Sequence, residues 1–172
     1  GNMGEGQGLH TIIPQVSQRF KGRLKFRCIG DGGRRAQLQS AIESAACSNV
    51  EILPPVRRDA LIAAYQEADV LFLHLNDYEA FRKVLPSKLF EYAALGKPIW
   101  AGVAGYSAEF IRLHVPNAAV FSPCDVEGAV TAFASLSMVT QPRHEFVERF
   151  ARTKIMQALA QDIVLSAGGI SK

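Results

Sequence analysis

Residues 85–98 read Leu-Pro-Ser-Lys-Leu-Phe-Glu-Tyr-Ala-Ala-Leu-Gly-Lys-Pro, and this stretch predicts one short helix with a defined start and end. Pro86 suits a first helical turn, where a fixed φ and a missing N–H are both tolerated. Gly96 is a typical left-handed stop, and Pro98 prevents continuation. The predicted helix therefore runs from about Pro86 to Leu95. Its apolar residues leave almost no polar face, which is typical of a helix buried on most sides.

The polar side chains of this helix lie close to its start. They are Ser87, Lys88 and Glu91. The first turn of a helix has free N–H groups and the positive end of the helix dipole, so it favours an anion. Lys88 would add charge for a phosphate, and Glu91 could accept hydrogen bonds from hydroxyl groups, which suggests a nucleotide-sugar site. The alternative is a surface ion pair between Lys88 and Glu91, worth about 0.2–0.5 kcal/mol.

The composition indicates one globular domain that handles small molecules. Of the 172 residues, 48% are apolar and 20% are charged, and the net charge is +3. No basic run resembles a nucleic-acid arm, so we expect no nucleic-acid partner. The three cysteines and four histidines lack metal-ligand spacing, and we expect neither a metal nor a cofactor. No leader or membrane span is recognised, which favours a cytoplasmic protein with reduced thiols.

Five apolar runs alternate with helical patterns along the chain. The runs are residues 24–29, 50–53, 70–75, 98–103 and 118–121. The run at residues 70–75 is continuous, as expected for a strand of a parallel sheet covered on both faces. The predicted fold is therefore α/β, a Rossmann-like doubly wound parallel sheet. Asp59 and Asp125 are predicted to cap helices, and residues 145–165 a long final helix.

Ligands of such sheets bind beyond the carboxyl ends of the strands, and several polar loops fall there. A glycine-rich loop, residues 1–8, feeds a helix, and a second glycine turn follows the first strand at residues 30–33. That second turn could be a dinucleotide fingerprint, but the next strand ends in Leu-Pro-Pro without the required acid, which disfavours a dehydrogenase. Arg34 could add charge for a phosphate.

The order of these segments, together with Pro-Ser-Lys-Leu-Phe-Glu-Tyr at 86–92 and Gly-Lys-Pro at 96–98, resembles a known family. It looks like the C-terminal donor-binding half of GT-B glycosyltransferases, and is most similar to retaining family-four enzymes of bacterial surface-polysaccharide assembly. The resemblance implies transfer of a hexosyl or N-acetylhexosaminyl group from a nucleotide-diphosphate sugar, UDP in preference to GDP, to a polysaccharide or lipopolysaccharide acceptor.

The resemblance also implies roles for individual residues. Glu91 matches the glutamate that holds the donor ribose, and Lys88 lies beside the diphosphate; these two are the expected catalytic residues. The backbone around Val56 is expected near the base, and Gly4 and Gly8 match the loop whose N–H groups approach the phosphate or sugar. The other expected donor-binding residues are Gln7, Gly30, Arg34, Ser87 and Leu89.

Two positions depart from the family pattern. Lys83 stands eight residues before Glu91, where the family has an acid, so contact with the transferred sugar is not predicted from this position. Gln7 stands where a basic residue is common, as in a subgroup that handles amino-sugar donors.

The resemblance further implies that residues 1–172 form a single donor-binding domain of a longer polypeptide, with an acceptor-binding domain upstream and peripheral membrane association of the whole enzyme. In that family the central strand of the sheet precedes the glycine loop. We therefore expect a gap at the centre of the sheet. Two alternatives are a GT-B-type sugar-nucleotide epimerase or hydrolase half, with His114 or Glu109 as an added acid or base, and a noncatalytic nucleotide-binding or interaction α/β module.

Overall fold

A computed structural model describes residues 1–151. Helices and strands alternate from the glycine-rich loop to the end of the described chain. The α-helices are α1 (Leu9–Arg19), α2 (Arg35–Ser44), α3 (Arg58–Glu67), α4 (Ser87–Ala94), α5 (Gly105–His114), α6 (Val126–Ala134) and α7 (His144–Phe150). The strands are β1 (Phe26–Ile29), β2 (Val50–Leu53), β3 (Leu71–His74), β4 (Ile99–Gly102) and β5 (Ala118–Phe121). Two short 3-10 helices, Glu5–Gln7 and Glu79–Lys83, lie in loops.

The five strands form two parallel sheets. In one sheet β1 pairs with β2, and in the other the order is β3-β4-β5. Every pairing is parallel, for example Phe26 with Val50 and Leu71 with Ile99. The predicted α/β fold with parallel strands is confirmed, and all five predicted strands occur at the predicted places.

Alternate residues of the strands feed two hydrophobic cores on opposite faces. Leu71 and Leu73 of β3 pack into a core with α4 and α5. Phe72 of the same strand and Trp100 of β4 pack into a second core with α1, α2 and α6. Because β3, β4 and β5 place apolar residues on both faces, helices must cover both faces of this sheet.

A slot separates the two sheets. It has a volume of about 430 Å³ and is lined by β1 on one side and β3 on the other. At one end, residues 1–3 run beside the end of β1: Asn2 forms a parallel bridge with Asp31, and the Met3 N–H donates to the Asp31 carbonyl at 2.8 Å. The expected gap in the sheet therefore lies between β1 and β3.

Two predicted helix features differ in the structure, and one is confirmed. Helix α3 begins at Arg58, so Asp59 lies inside the first turn and does not cap the helix. Asp125 does cap α6, because its side chain accepts a hydrogen bond from the Gly128 N–H. The predicted long final helix is shorter in the structure: α7 ends at Phe150, and Ala151 has left the helical conformation at φ −57 and ψ +130, while residues 152–165 lie outside the described residues.

Candidate functional site

Helix α4 is amphipathic rather than buried on most sides, which corrects the sequence interpretation. Pro86 occupies the N-cap position, and Leu89, Tyr92 and Ala93 are buried. Ser87 and Glu91 are exposed and so remain available to a ligand. Leu89 is fully buried, and its N–H already donates to the Pro86 carbonyl at 2.9 Å, so this predicted binding residue belongs to the core.

The Lys88 ammonium is partly withdrawn from water and faces the slot. Its Nζ lies 5.9 Å from the centre of the Tyr92 ring and lines the cavity together with Gly1 and Gln7. Burial lowers the pKa of Lys88, and the attraction of Glu91 opposes that effect. None of the ion pairs among residues 1–151 includes Lys88. A bound anion would therefore recover free energy that burial costs this cation.

Glu91 is paired with a residue that the sequence did not single out. Its Oε1 lies 3.5 Å from the Arg58 Nη1, and its side chain is 42% exposed. The surface pair between Lys88 and Glu91 that competed with the anion site is not formed within the ion-pair distance of 4.0 Å. Arg58 begins α3, directly after the loop that follows β2 and contains Val56. In the sequence, the feature that could have identified Arg58 as a site residue is this position just beyond the carboxyl end of a strand.

The glycine-rich loop leads into α1, and its residues Gly1 and Gln7 line the slot together with Lys88 of α4. The Gln7 side chain folds back, and its Oε1 accepts from the Gly4 N–H at 3.2 Å. Gly8 has φ +56 and precedes α1. The Thr11 N–H donates to the Gly8 carbonyl at 3.1 Å, so the N–H groups of residues 9 and 10 precede the first helical hydrogen bond. These groups can meet an anion.

Arg34 is brought to the glycine loop, but its charge is already used there. Its Nε forms an ion pair with a Glu5 carboxylate oxygen, and the Tyr78 hydroxyl donates to the other oxygen. The Tyr78 bond and then Arg34 lower the pKa of Glu5, against the opposing effect of desolvation. In this conformation Arg34 fixes the loop and is not free to contact a phosphate.

Two other predicted residues have different roles. Gly30 has φ +145, and a Cβ at that position would overlap the Gly1 backbone, so glycine is needed for the close approach of the loop to β1. Val56 is 41% exposed in the loop between β2 and α3. It precedes α3 by two residues, so the loop that contains it leads directly to Arg58, the partner of Glu91.

His74, at the end of β3, connects two loops at this edge. Its ring is 3% exposed and stacks beside Phe72 with centroids 6.1 Å apart. The Cys124 N–H donates to Nε2 at 3.0 Å, and Nδ1 lies 2.7 Å from the Gln7 carbonyl. Because the Cys124 N–H can only donate, Nε2 is the acceptor and Nδ1 carries the proton. In the sequence, the feature that could have identified His74 is a polar residue at the end of an otherwise apolar strand.

The buried imidazole predicts a pH dependence of stability. Burial lowers the pKa of His74 below 6.5, and the hydrogen bond to Gln7 only partly opposes this. Its contribution is therefore complete above the unfolded pKa of about 6.5 and is lost as the pH falls through the lower folded pKa. Urea unfolding at several pH values should show a steeper acid loss for the native chain than for His74→Gln. Parallel curves for the two would contradict this.

Residues 1–151 contain neither a metal-binding cluster nor a membrane-spanning helix. No group of three or more His, Cys, Asp or Glu side chains is close enough there to hold a metal ion. None of the helices described is long and apolar enough to cross a membrane.

Most of the chain matches a known protein family. Residues 1–138 match the family described as glycosyl transferases group 1. The chain is 28% identical over 151 residues to the putative colanic acid biosynthesis glycosyl transferase WcaI of Escherichia coli (strain K12), covering 87% of this chain and 36% of that protein. It thus spans about a third of the length of this curated relative.

Two solved structures share the fold. AviGT4, a glycosyltransferase involved in avilamycin A biosynthesis, has a TM-score of 0.71 at 16% identity, over 98% of this chain and 51% of that one. The catalytic domain of cholesterol-alpha-glucosyltransferase from Helicobacter pylori has a TM-score of 0.56 at 11% identity, over 97% of this chain and 94% of that one. At these identities the likeness shows a GT-B-type Rossmann-like fold alone.

The chain belongs to the glycosyl transferases group 1 family. The resemblance noted in the sequence is confirmed at this level, as a family-four glycosyltransferase with a GT-B-type domain. Its assignment to the C-terminal half, and to surface-polysaccharide assembly, stays a prediction.

Proposed function

We propose that this chain is the donor-binding half of a retaining glycosyltransferase. It binds a nucleotide-diphosphate sugar, UDP in preference to GDP, at the edge formed by the glycine loop and the start of α4. The group transferred is a hexosyl or N-acetylhexosaminyl unit, and the acceptor is a surface polysaccharide or lipopolysaccharide at the inner face of the membrane. The similarity to a putative colanic acid transferase supports the choice of acceptor.

The observation that carries the proposal is the half-buried ammonium of Lys88, which forms no ion pair with residues 1–151, on the same helix end as the exposed carboxylate of Glu91. A diphosphate fits the ammonium and the first-turn N–H groups, and a ribose fits the carboxylate. Hydroxyl groups of the ribose would share or replace the contact that Arg58 now makes with Glu91.

These residues also explain how transfer could be accelerated. As the bond between the sugar and the diphosphate breaks, negative charge grows on the leaving phosphate. Lys88 and the N–H groups at the start of α1 are held in place before the reaction, so they stabilise this charge more than they stabilise the ground state. Glu91 acts by holding the nucleotide in position.

The same proposal includes a larger protein. An acceptor-binding domain and a central strand, which enters the slot between β1 and β3, would come from a polypeptide longer than this chain. The apolar lining of the slot and the parallel course of residues 1–3 beside β1 support this arrangement.

Calorimetric titration with UDP and GDP tests the site. We expect UDP to bind the native chain more tightly than GDP, and Lys88→Ala to weaken UDP binding about tenfold or more, because charge-assisted hydrogen bonds are lost. Glu91→Gln should weaken binding less, since a neutral amide still accepts one hydrogen bond.

The matched control is Lys21→Ala, which removes the same charge from an exposed position beyond the far end of α1. It should leave the affinity unchanged. Equal affinities for the native chain, Lys88→Ala and Glu91→Gln would overturn the site, and no binding of either nucleotide would favour a noncatalytic interaction module.

A further inference from the structure

The contacts of His74 have a consequence for the glycine loop. Its proton on Nδ1 is donated to the Gln7 carbonyl, and its Nε2 is held by the Cys124 N–H from the loop after β5. The ring therefore links the end of β3, the glycine loop and the loop that precedes α6. These three segments are far apart in the chain, since Gln7 lies 67 residues and Cys124 lies 50 residues from His74.

The ring has little freedom to move. Phe72 and Phe121 lie on the same face of the sheet, with ring centroids 6.1 Å and 6.2 Å from that of His74. Gly102 of β4 makes the space, because a Cβ there would overlap both the His74 and the Phe121 rings. A side chain that packs near two aromatic rings and makes two hydrogen bonds can hold a neighbouring peptide group in one orientation.

The peptide group that it holds leads directly into α1. A trans peptide is planar, so fixing the Gln7 carbonyl also fixes the plane that carries the Gly8 N–H. Gly8 is left-handed at φ +56, and its carbonyl accepts from both the Thr11 N–H at 3.1 Å and the Thr11 hydroxyl at 2.6 Å. The Gly8 N–H donates to the Glu5 carbonyl at 3.1 Å, so the Gln7–Gly8 peptide that leads into α1 is held by that bond at its N–H and by His74 at its carbonyl.

We infer that His74 is a positioning residue that aims the first turn of α1 at the donor phosphates through the Gln7 carbonyl. This inference rests on the proposed donor site. His74 itself lies beneath the loop and touches no ligand; it acts through the Gln7–Gly8 peptide. Its neutral imidazole supplies one donor and one acceptor, and both are used within the protein.

Two substitutions separate the two hydrogen bonds. In His74→Asn the amide lies where Nδ1 was and can still donate to the Gln7 carbonyl, whereas the Cys124 bond is lost. In His74→Gln the amide lies where Nε2 was and can still accept from the Cys124 N–H, whereas the Gln7 bond is lost. Asn is also the smaller residue, so it leaves the larger void in the core and should be the less stable variant.

The inference predicts that the less stable variant, His74→Asn, binds UDP more tightly than the more stable variant, His74→Gln. We expect His74→Asn to bind UDP within about twofold of the native chain, and His74→Gln to bind on the order of tenfold more weakly, the effect of about one buried hydrogen bond. Without nucleotide, hydrogen exchange of amides 8–10 should be faster in His74→Gln than in His74→Asn.

A purely structural role for His74 gives a different result. Binding would then follow stability, with His74→Asn weaker than His74→Gln, or both variants would bind like the native chain; either outcome overturns the inference. If the native chain binds neither UDP nor GDP, the proposed function fails. The exchange measurement then decides alone, because equal exchange of amides 8–10 in the two variants overturns the positioning role and faster exchange in His74→Gln supports it.

Discussion

Placing five apolar, β-branched residues directly before Gly1 is expected to raise the melting temperature by about 10 °C. Residues 1–3 already run parallel to the end of β1, so such an extension would continue along the slot between β1 and β3. It would pair with the free backbone edges of both strands and bury side chains in both cores. Burial of roughly 1.5–3 kcal/mol per side chain, less roughly 1–2 kcal/mol per residue for ordering, leaves a net gain of about 3 kcal/mol.

The matched control is an extension of the same length made of glycine and serine, which can occupy the slot but buries almost no apolar surface. Calorimetric melting of both chains, with their mass in solution measured by light scattering, makes the comparison. Equal melting temperatures would show that the slot does not accept a strand. A higher melting temperature accompanied by dimers would show that the added strand pairs with a second copy instead.

The fold could be predicted from the sequence because its signals are local. A strand buried on both faces is expected to be apolar, and residues 70–75 are apolar apart from His74, so β3 was recognised without knowing its neighbours. Asp125 was recognised as a cap because the side chain and the N–H that it binds are three residues apart. Asp59 was wrongly predicted to be a cap because an acid near the start of a helix fits either the cap position or the first turn.

The candidate site was only partly predictable, because its contacts join distant segments. Lys88 and Glu91 lie on one short helix, so their spacing was visible. The pairs Arg58 with Glu91 and His74 with Gln7 depend on which loops the sheet brings together, which no periodicity reports. Arg34 was assigned to the correct edge, but its partner is Glu5, which neutralises it.

Replacing Arg143 with methionine is expected to lower the free energy of unfolding by about 3 kcal/mol. Arg143 is 5% exposed, and burial lowers its pKa. Its guanidinium donates to the carbonyls of Ala93 at 3.1 Å, Lys97 at 3.0 Å and Pro116 at 2.7 Å, and forms no ion pair with residues 1–151. Methionine fills the space but removes the donors of the Lys97 and Pro116 carbonyls, which costs roughly 1–3 kcal/mol for each group, whereas the Ala93 carbonyl still accepts from the Gly96 N–H. Urea unfolding measures the loss.

Arg143→Lys separates the effect of charge from that of geometry. A lysine keeps the favourable charge beside the carboxyl end of α4, but its single ammonium cannot reach carbonyls in three directions as the planar guanidinium does. We therefore expect a loss intermediate between zero and that of Arg143→Met. If the two variants are equally unstable, the fork of hydrogen bonds carries the whole effect. If Arg143→Met stays within about 1 kcal/mol of the native chain, the carbonyls find water, and the end of α4 does not depend on Arg143.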